Sequence, residues 1–186
     1  MTTLSTRRLL LRPVVLADAP RFAACSRDPR VAVPVGIAAP WTLAQARARV
    51  REARALMRGR RLLAVSLFLR GDGRWVGSLN LRWPHPGVGE LGYYLLPEHW
   101  GRGYATEVVR FVVDLAFREH GAHRVQATAW VRNPASARVL LKAGLRKEGR
   151  LRGYLKRGDE VRDEFVFGVT RGDWRKTRAS VTLRAR

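Results

Sequence analysis

The sequence predicts a mixed α/β (α+β) domain built on one sheet, and three observations carry that reading. Short runs rich in Leu, Val, Tyr and Phe, bounded by Gly, Pro and Asp, recur along the chain in the manner of half-buried strands. Between them, other segments space their apolar residues helically behind recognisable caps. The stretch Glu90–Glu119 then joins both kinds: a strand rich in Leu and Tyr, a glycine-bearing loop and an amphipathic helix. The predicted order is β-α-α-β-β-β-α-β-α-β-β, antiparallel at first, with a strand–helix–strand crossover that sets two strands parallel.

Taken in order, Thr6–Val15 reads as a first strand and Asp18–Ser26 as a short helix. Cys25 falls on that helix's apolar side and reads as a small core residue, with no histidine or second cysteine near it in sequence. Asp28–Trp41, with Pro29, Pro34, Gly36 and Pro40, reads as an irregular loop. Thr42 and Gln45 make a capping-box pattern that opens a helix running to Arg58. Its arginines 47, 49, 51, 54 and 58 read as a solvated face or as a binding surface. Leu62–Leu69 and Trp75–Arg82 are strands around Arg70–Gly73, an R-G-D-G turn. Pro84 and Pro86 are expected to break the ladder before the Leu91–Leu96 strand, which Pro97 ends for want of an N–H. A helix from Ala105 to Glu119 buries Val108, Val109, Val112, Val113 and Ala116. Arg124–Val131 is the next strand. Asn133, Pro134 and Gly144 are the cap, first residue and terminator of a further helix. Arg146–Leu155 and Val161–Val169 form a closing hairpin.

Composition bounds the function. The 186 residues suffice for one domain with a real core, expected over residues 1–174 and followed by a basic tail, 175–186. No apolar run reaches a membrane-spanning length and no signal peptide is read, so the expected location is cytoplasmic. One cysteine excludes an internal disulfide, and the four histidines show no ligand spacing, so no metal is expected. The net charge of +21 attracts anions such as a phosphate-rich ligand or nucleic acid. Only 4 of the 36 basic residues are lysine, so the charge also reads as compositional bias.

The loop Trp100–Ala105 carries the chemistry. Gly101 and Gly103 feed a helix whose first-turn N–H groups are bare, and such a joint either turns a corner or cradles phosphate. It lacks the Lys-Ser/Thr of a nucleotide loop and the third glycine of a dinucleotide loop. The string G-Y-Y-L-L-P-E-H-W-G-R-G-Y-A-T-E resembles the acetyl-coenzyme A loop of the GNAT N-acetyltransferase superfamily, in the branch of ribosomal-protein N-terminal (alanine/serine) acetyltransferases and spermidine acetyltransferases. The family pattern Gln/Arg-x-x-Gly-x-Gly/Ala falls on Trp100, Gly101, Arg102, Gly103, Tyr104 and Ala105, with Trp100 departing from Gln/Arg. The resemblance spans about Thr6 to Trp174.

It implies the GNAT acyl-CoA acyltransferase fold, a central mixed but mostly antiparallel sheet of about seven strands flanked by about four helices. It also implies two strands splayed apart around the pantetheine arm. The amides of Arg102, Gly103, Tyr104, Ala105 and Thr106 would hold the pyrophosphate beside Gly101, the Leu95 N–H would polarise the thioester carbonyl, and Leu96 and Pro97 would flank the arm. Glu90 is the implied base; without the resemblance it reads as a solvated strand start. Many members carry a tyrosine seven residues beyond the matching asparagine, where this chain has Leu140. Asn133 and Ser136 match the N-x-x-S of the ribosomal-protein branch, where the asparagine contacts the cofactor and the serine is the proton donor proposed for sulfur; locally they read as a helix cap and a first-turn residue. Trp41, Trp83, His85 and Tyr154 are the expected acceptor-lining residues, near the 33–41 loop and the Lys156–Glu160 tip.

The implied activity is acetyl transfer from acetyl-coenzyme A to a primary amine by direct attack. The acceptor is a protein N-terminus or a small amine such as an aminoglycoside or amino acid; a polyamine would want an acidic funnel, and this chain is short of acids. A non-catalytic basic module on RNA or the ribosome is the alternative of another class. Weak ribosome or RNA association and a homodimer are further expectations, with no membrane partner.

Overall fold

The computed structural model describes residues 3–157 and 159–178. Its strands are β1 (Leu4–Ser5), β2 (Leu9–Pro13), β3 (Leu62–Leu69), β4 (Trp75–His85), β5 (Val88–Leu95), β6 (Arg124–Trp130), β7 (Arg146–Arg157) and β8 (Glu160–Thr170). Its helices are α1 (Ala19–Cys25), α2 (Pro29–Ala32), α3 (Leu43–Arg58), α4 (Tyr104–Glu119), α5 (Pro134–Ala143) and α6 (Arg171–Arg178), with 3-10 turns at Leu16–Asp18 and Pro97–His99. All eight strands form one sheet in the order β1-β2-β3-β4-β5-β6-β8-β7. Every neighbouring pair is antiparallel except β5 and β6, which lie parallel as the crossover through α4 requires.

Helices cover both faces, so the central strands are buried on both sides. On β3, Leu63, Val65 and Leu67 join the α4 and α5 core, while Leu62 and Ala64 join α1 and α3 on the opposite face. Val108, Val109, Val112, Val113 and Ala116 of α4 have no exposed surface. Side chains of this kind contribute roughly 1.5–3 kcal/mol each when fully buried, so α4 is the helix most firmly fixed to the sheet.

The turn and cap chemistry read in the sequence is present. Thr42 and Gln45 exchange bonds of 3.2 and 2.8 Å across the start of α3, Asn133 caps α5, and Gly144 closes α5 in a left-handed conformation. Elsewhere the structure departs from expectation. The strand expected over Thr6–Val15 is shorter, β2 alone, and the unexpected β1 precedes it; between them the Thr6 hydroxyl accepts from the Leu9 N–H at 3.0 Å and bends the chain. The loop 28–41 contains α2, whose first turn donates to the Asp28 side chain. Pro84 does not end β4. The β4–β5 register shifts between Arg82 and His85, leaving Pro84 where the ladder asks for no N–H. The chain then turns at Pro86–Gly87.

Helix α6 was not expected. Its anchor is Trp174, which lies 6.2 Å from the Phe117 ring and donates through Nε1 to Asp114 at 3.1 Å. The boundary expected at 174/175 falls within α6, and residues 179–186 of the expected tail lie outside the described residues.

Candidate active site

The site begins where two strands part. β5 and β6 pair only at Val88–Arg124, Gly89–Val125 and Glu90–Gln126. Beyond Glu90, β5 stays with β4 as far as Leu95, while β6 stays with β8 as far as Trp130. A wedge opens between them, and main-chain groups along its two inner edges have no ladder partner across it. Such groups want hydrogen bonds, and an extended ligand arm bearing amides would supply them.

At the wide end of the wedge, β5 passes through the Pro97–His99 turn into the glycine loop. Gly103 is the N-cap of α4, left-handed at φ 78°, and no side chain caps the helix. The N–H groups of the first turn therefore stay free at the positive end of the helix dipole, as an anion site requires. A Cβ on Gly101 would meet nothing within 4 Å, so the loop's outer side is open.

The loop is braced from behind by residues the sequence did not single out. Arg8 donates from its guanidinium to the Arg102 carbonyl at 2.9 Å and lies 4.6 Å over the Tyr104 ring. Glu107, in the first turn of α4, accepts from the Thr6 hydroxyl (2.6 Å), the Arg8 backbone N–H (2.9 Å) and Arg8 Nε (2.6 Å). Burial would raise the Glu107 carboxyl, but the bonds from Thr6 and Arg8 outweigh it and hold the group below the usual carboxylate range. Trp100, at the position where the family pattern has Gln or Arg, donates its indole N–H to the Leu95 carbonyl at 2.8 Å. It thereby ties the loop back to the end of β5.

The narrow end of the wedge holds Glu90, half-buried and opposite Gln126. Across the wedge, Asn133 accepts from the Ser136 N–H at 3.1 Å and fixes the first turn of α5. The Ser136 hydroxyl lies 3.0 Å from the Tyr93 phenol. Burial pushes that phenol up to about 12, with the Ser136 bond opposing. Leu140 is wholly buried in the core.

The four expected acceptor residues are dispersed. Trp41 packs with the α1–α3 core beside Trp75 and Tyr94, with the Arg49 guanidinium 4.3 Å over its ring. Trp83 and His85 line a cleft of about 460 Å³ with Arg60, Glu119 and His120. That cleft adjoins the C-terminal end of α4, some 24 Å by helix rise from the glycine loop. Tyr154 is exposed on β7. The β7–β8 hairpin is itself tied to the loop after α2, since Arg162 donates to the Val33 carbonyl at 2.7 Å and stacks 4.2 Å over Trp130. Among the described residues, no cluster of three or more His, Cys, Asp or Glu could hold a metal ion, and no helix is long and apolar enough to cross a membrane.

The comparisons with known proteins agree with this geometry. Residues 8–146 match the family model for the acetyltransferase (GNAT) domain. The chain is 32% identical over 171 residues to the uncharacterized N-acetyltransferase YoaA of Bacillus subtilis, covering 90% of this chain and 96% of that protein. In fold it is similar to Mycobacterium smegmatis RimJ, solved in complex with CoA-disulfide (TM-score 0.78, 23% identity, 96% and 93% of the two chains). It is also similar in fold to the spermidine N-acetyltransferase of Vibrio cholerae, solved with CoA and spermine (TM-score 0.79, 14% identity, 91% and 99%). The wedge, the uncapped helix and these matches together identify the chain as a member of the GNAT family of acetyl-coenzyme A-dependent N-acetyltransferases.

Proposed function

We propose that the acceptor is a protein N-terminal amine of ribosomal-protein type and that transfer is direct, within a domain spanning residues 1–174 and acting in the cytoplasm. The observation that carries the reading is the alignment of the wedge with the uncapped start of α4, which suits an extended ligand with a diphosphate at one end. The amides of Arg102–Thr106 hold that diphosphate, with Gly101 giving it access and the Arg102 side chain adding charge. Leu96 and Pro97 flank the arm, and Asn133 meets it from the other side. Bound acetyl-coenzyme A supplies the acetyl group as an activated thioester. The Leu95 N–H polarises its carbonyl. Glu90 takes a proton from the incoming ammonium, directly or through water, and Ser136 faces the sulfur that leaves. Trp41, Trp83, His85 and Tyr154 remain the candidates for acceptor contacts; of these, Trp41 and Tyr154 lie away from the far cleft.

The shortage of acids, 15 against 36 basic residues, argues against a polyamine acceptor. A ribosomal acceptor also gives the exposed arginines of α3 a role in weak association with RNA. The second reading is a small amine: the spermidine enzyme shares the fold about as nearly as RimJ does, and the fold alone does not choose between the two kinds of acceptor. A thiol-release screen over peptides, polyamines, aminoglycosides and amino acids decides between them. Turnover of peptides with a free Ala or Ser N-terminus supports the proposal, and turnover of small amines alone overturns it. Coenzyme A binding without release toward any amine leaves the non-catalytic alternative. Glu90→Gln is expected to lower kcat at neutral pH by about a hundredfold or more, the scale of general-base catalysis, with coenzyme A affinity nearly unchanged. Full activity in that variant removes Glu90 from the mechanism.

A further inference from the structure

One polar contact crosses the wedge between β5 and α5. Tyr93 projects from β5 toward the α4 and α5 core, where its ring packs, and its phenol reaches the first turn of α5. It meets Ser136 twice there, at 3.0 Å to the hydroxyl and 3.4 Å to the carbonyl. The two residues are 43 apart in sequence and stand on opposite sides of the wedge, on elements that share no ladder beyond Glu90. The Asn133 cap fixes the backbone of Ser136, so the serine hydroxyl is held in place from both ends. A serine alone is a weak donor to a leaving thiolate, and the position seven residues beyond Asn133 is a buried leucine with no proton to give.

We propose that Tyr93 is a positioning residue for thiol departure: its phenolic proton, donated to Ser136 Oγ, turns the serine's own proton toward the sulfur. The inference rests on the proposed role of Ser136. As the acceptor nitrogen bonds to the acetyl carbon and the C–S bond breaks, the electron pair passes to sulfur, which becomes thiolate. Ser136 donates a hydrogen bond to it, and Tyr93 moves from the weaker bond with the Ser136 carbonyl to the stronger one with Oγ. The chain Tyr93–Ser136–sulfur polarises along its length and strengthens each bond. No proton leaves Tyr93. Its burial keeps it a donor throughout the neutral range, and the thiolate takes its final proton from solvent.

The test is Tyr93→Phe, which removes one oxygen and keeps the ring, alongside Ser136→Ala, Ser136→Thr and the double variant. Two readouts go with them: kcat and KM, and the pH titration of thiolate absorbance for coenzyme A bound to the enzyme. Tyr93→Phe is expected to lower kcat about fivefold, the value of one net hydrogen bond, with KM for acetyl-coenzyme A unchanged and the bound thiol titrating at higher pH than in the parent. Ser136→Ala should do at least as much. The double variant should be no worse than Ser136→Ala, because Tyr93 acts only through the serine, and Ser136→Thr should restore most of the rate. An unchanged kcat and thiol titration in Tyr93→Phe overturns the inference, as does a double variant whose losses multiply. Calorimetry with coenzyme A separates this from the reading beneath it. A parent protein that binds no coenzyme A sinks the proposed site itself, whereas normal binding with an inert Tyr93→Phe change sinks only the relay.

Discussion

Glu107→Ala tests how the glycine loop is held. The carboxylate is the common acceptor for the Thr6 hydroxyl, the Arg8 backbone N–H and Arg8 Nε, and its side chain is 18% exposed. Removing it takes the acceptor from two donors of the β1–β2 turn, the Thr6 hydroxyl being left only the longer contact with the Leu9 carbonyl, at about 1–1.5 kcal/mol each, the upper range for a net hydrogen bond. The Arg8 ion pair adds at most about 1 kcal/mol, because the Arg8 side chain is 35% exposed and water screens it. The expected loss is about 3 kcal/mol, a large share of a typical domain's stability. In urea unfolding this appears as a midpoint lower by roughly 1–2 M with an unchanged slope. Coenzyme A affinity should fall about tenfold, since Arg8 also holds the Arg102 carbonyl and the Tyr104 ring. The acid side gives a further check. The folded protein holds the Glu107 carboxyl below its ordinary value, so its contribution is present above the ordinary carboxylate range and disappears as pH falls through the depressed value. Parent and variant should converge in acid. A loss under about 0.5 kcal/mol at neutral pH with unaltered coenzyme A affinity would refute the brace.

Three further changes bear on neighbouring parts. Gly103→Val puts a β-branched residue at φ 78°, with its Cβ 3.4 Å from the Arg8 guanidinium; coenzyme A heat should vanish in calorimetry while the melting temperature drops by only a few degrees. Gly77→Ala drives a Cβ into the Tyr94 carbonyl and to 2.8 Å from Leu95 Cα, so unfolding stability should fall by about 3 kcal/mol or more, and a normal denaturation midpoint would contradict the packing. In alkali, burial, with Asp28 and Glu98 nearby, pushes Cys25 from 9.0 to about 12, and burial pushes Tyr93 from 10.0 to about 12. Stability is therefore complete below about pH 9 and declines as pH rises toward about 12, by up to about 1.4 kcal/mol per pH unit for each group. Cys25→Ala should flatten the start of that decline in a series of pH-dependent melts.

The parts legible in the sequence were those whose physics is local. The Asn133 cap, the Thr42–Gln45 box, Gly144 and the free start of α4 each need only a few consecutive residues to be recognised. The parts that escaped depend on residues brought together by the sheet. Thr6 and Arg8 reach Glu107 from about a hundred positions away, and nothing near any of them announces the contact. The Trp100 staple was hidden because an indole offers one donor and the sequence does not say which carbonyl takes it. Trp41 and Trp83 both looked fit for an acceptor pocket, yet one packs with the α1–α3 core and the other with the α4 core. Pairing a residue with a face of a central strand needs the register, which composition alone does not supply. Helix α6 escaped because R-G-D-W-R-K-T-R has one apolar side chain and is fixed by where Trp174 lands.

The three rungs joining β5 to β6 have a mechanical consequence. Strands β1–β5 and β6–β8 make two plates laddered together at one corner and otherwise bridged by side chains under α4 and α5 and by the Tyr93–Ser136 contact, so a change in the angle between them breaks no backbone ladder. Whatever lodges in the gap mortars the plates together. Ligand entry should thus stiffen regions it never touches, and slowed amide exchange would extend outward through both plates from the strand edges that face the gap.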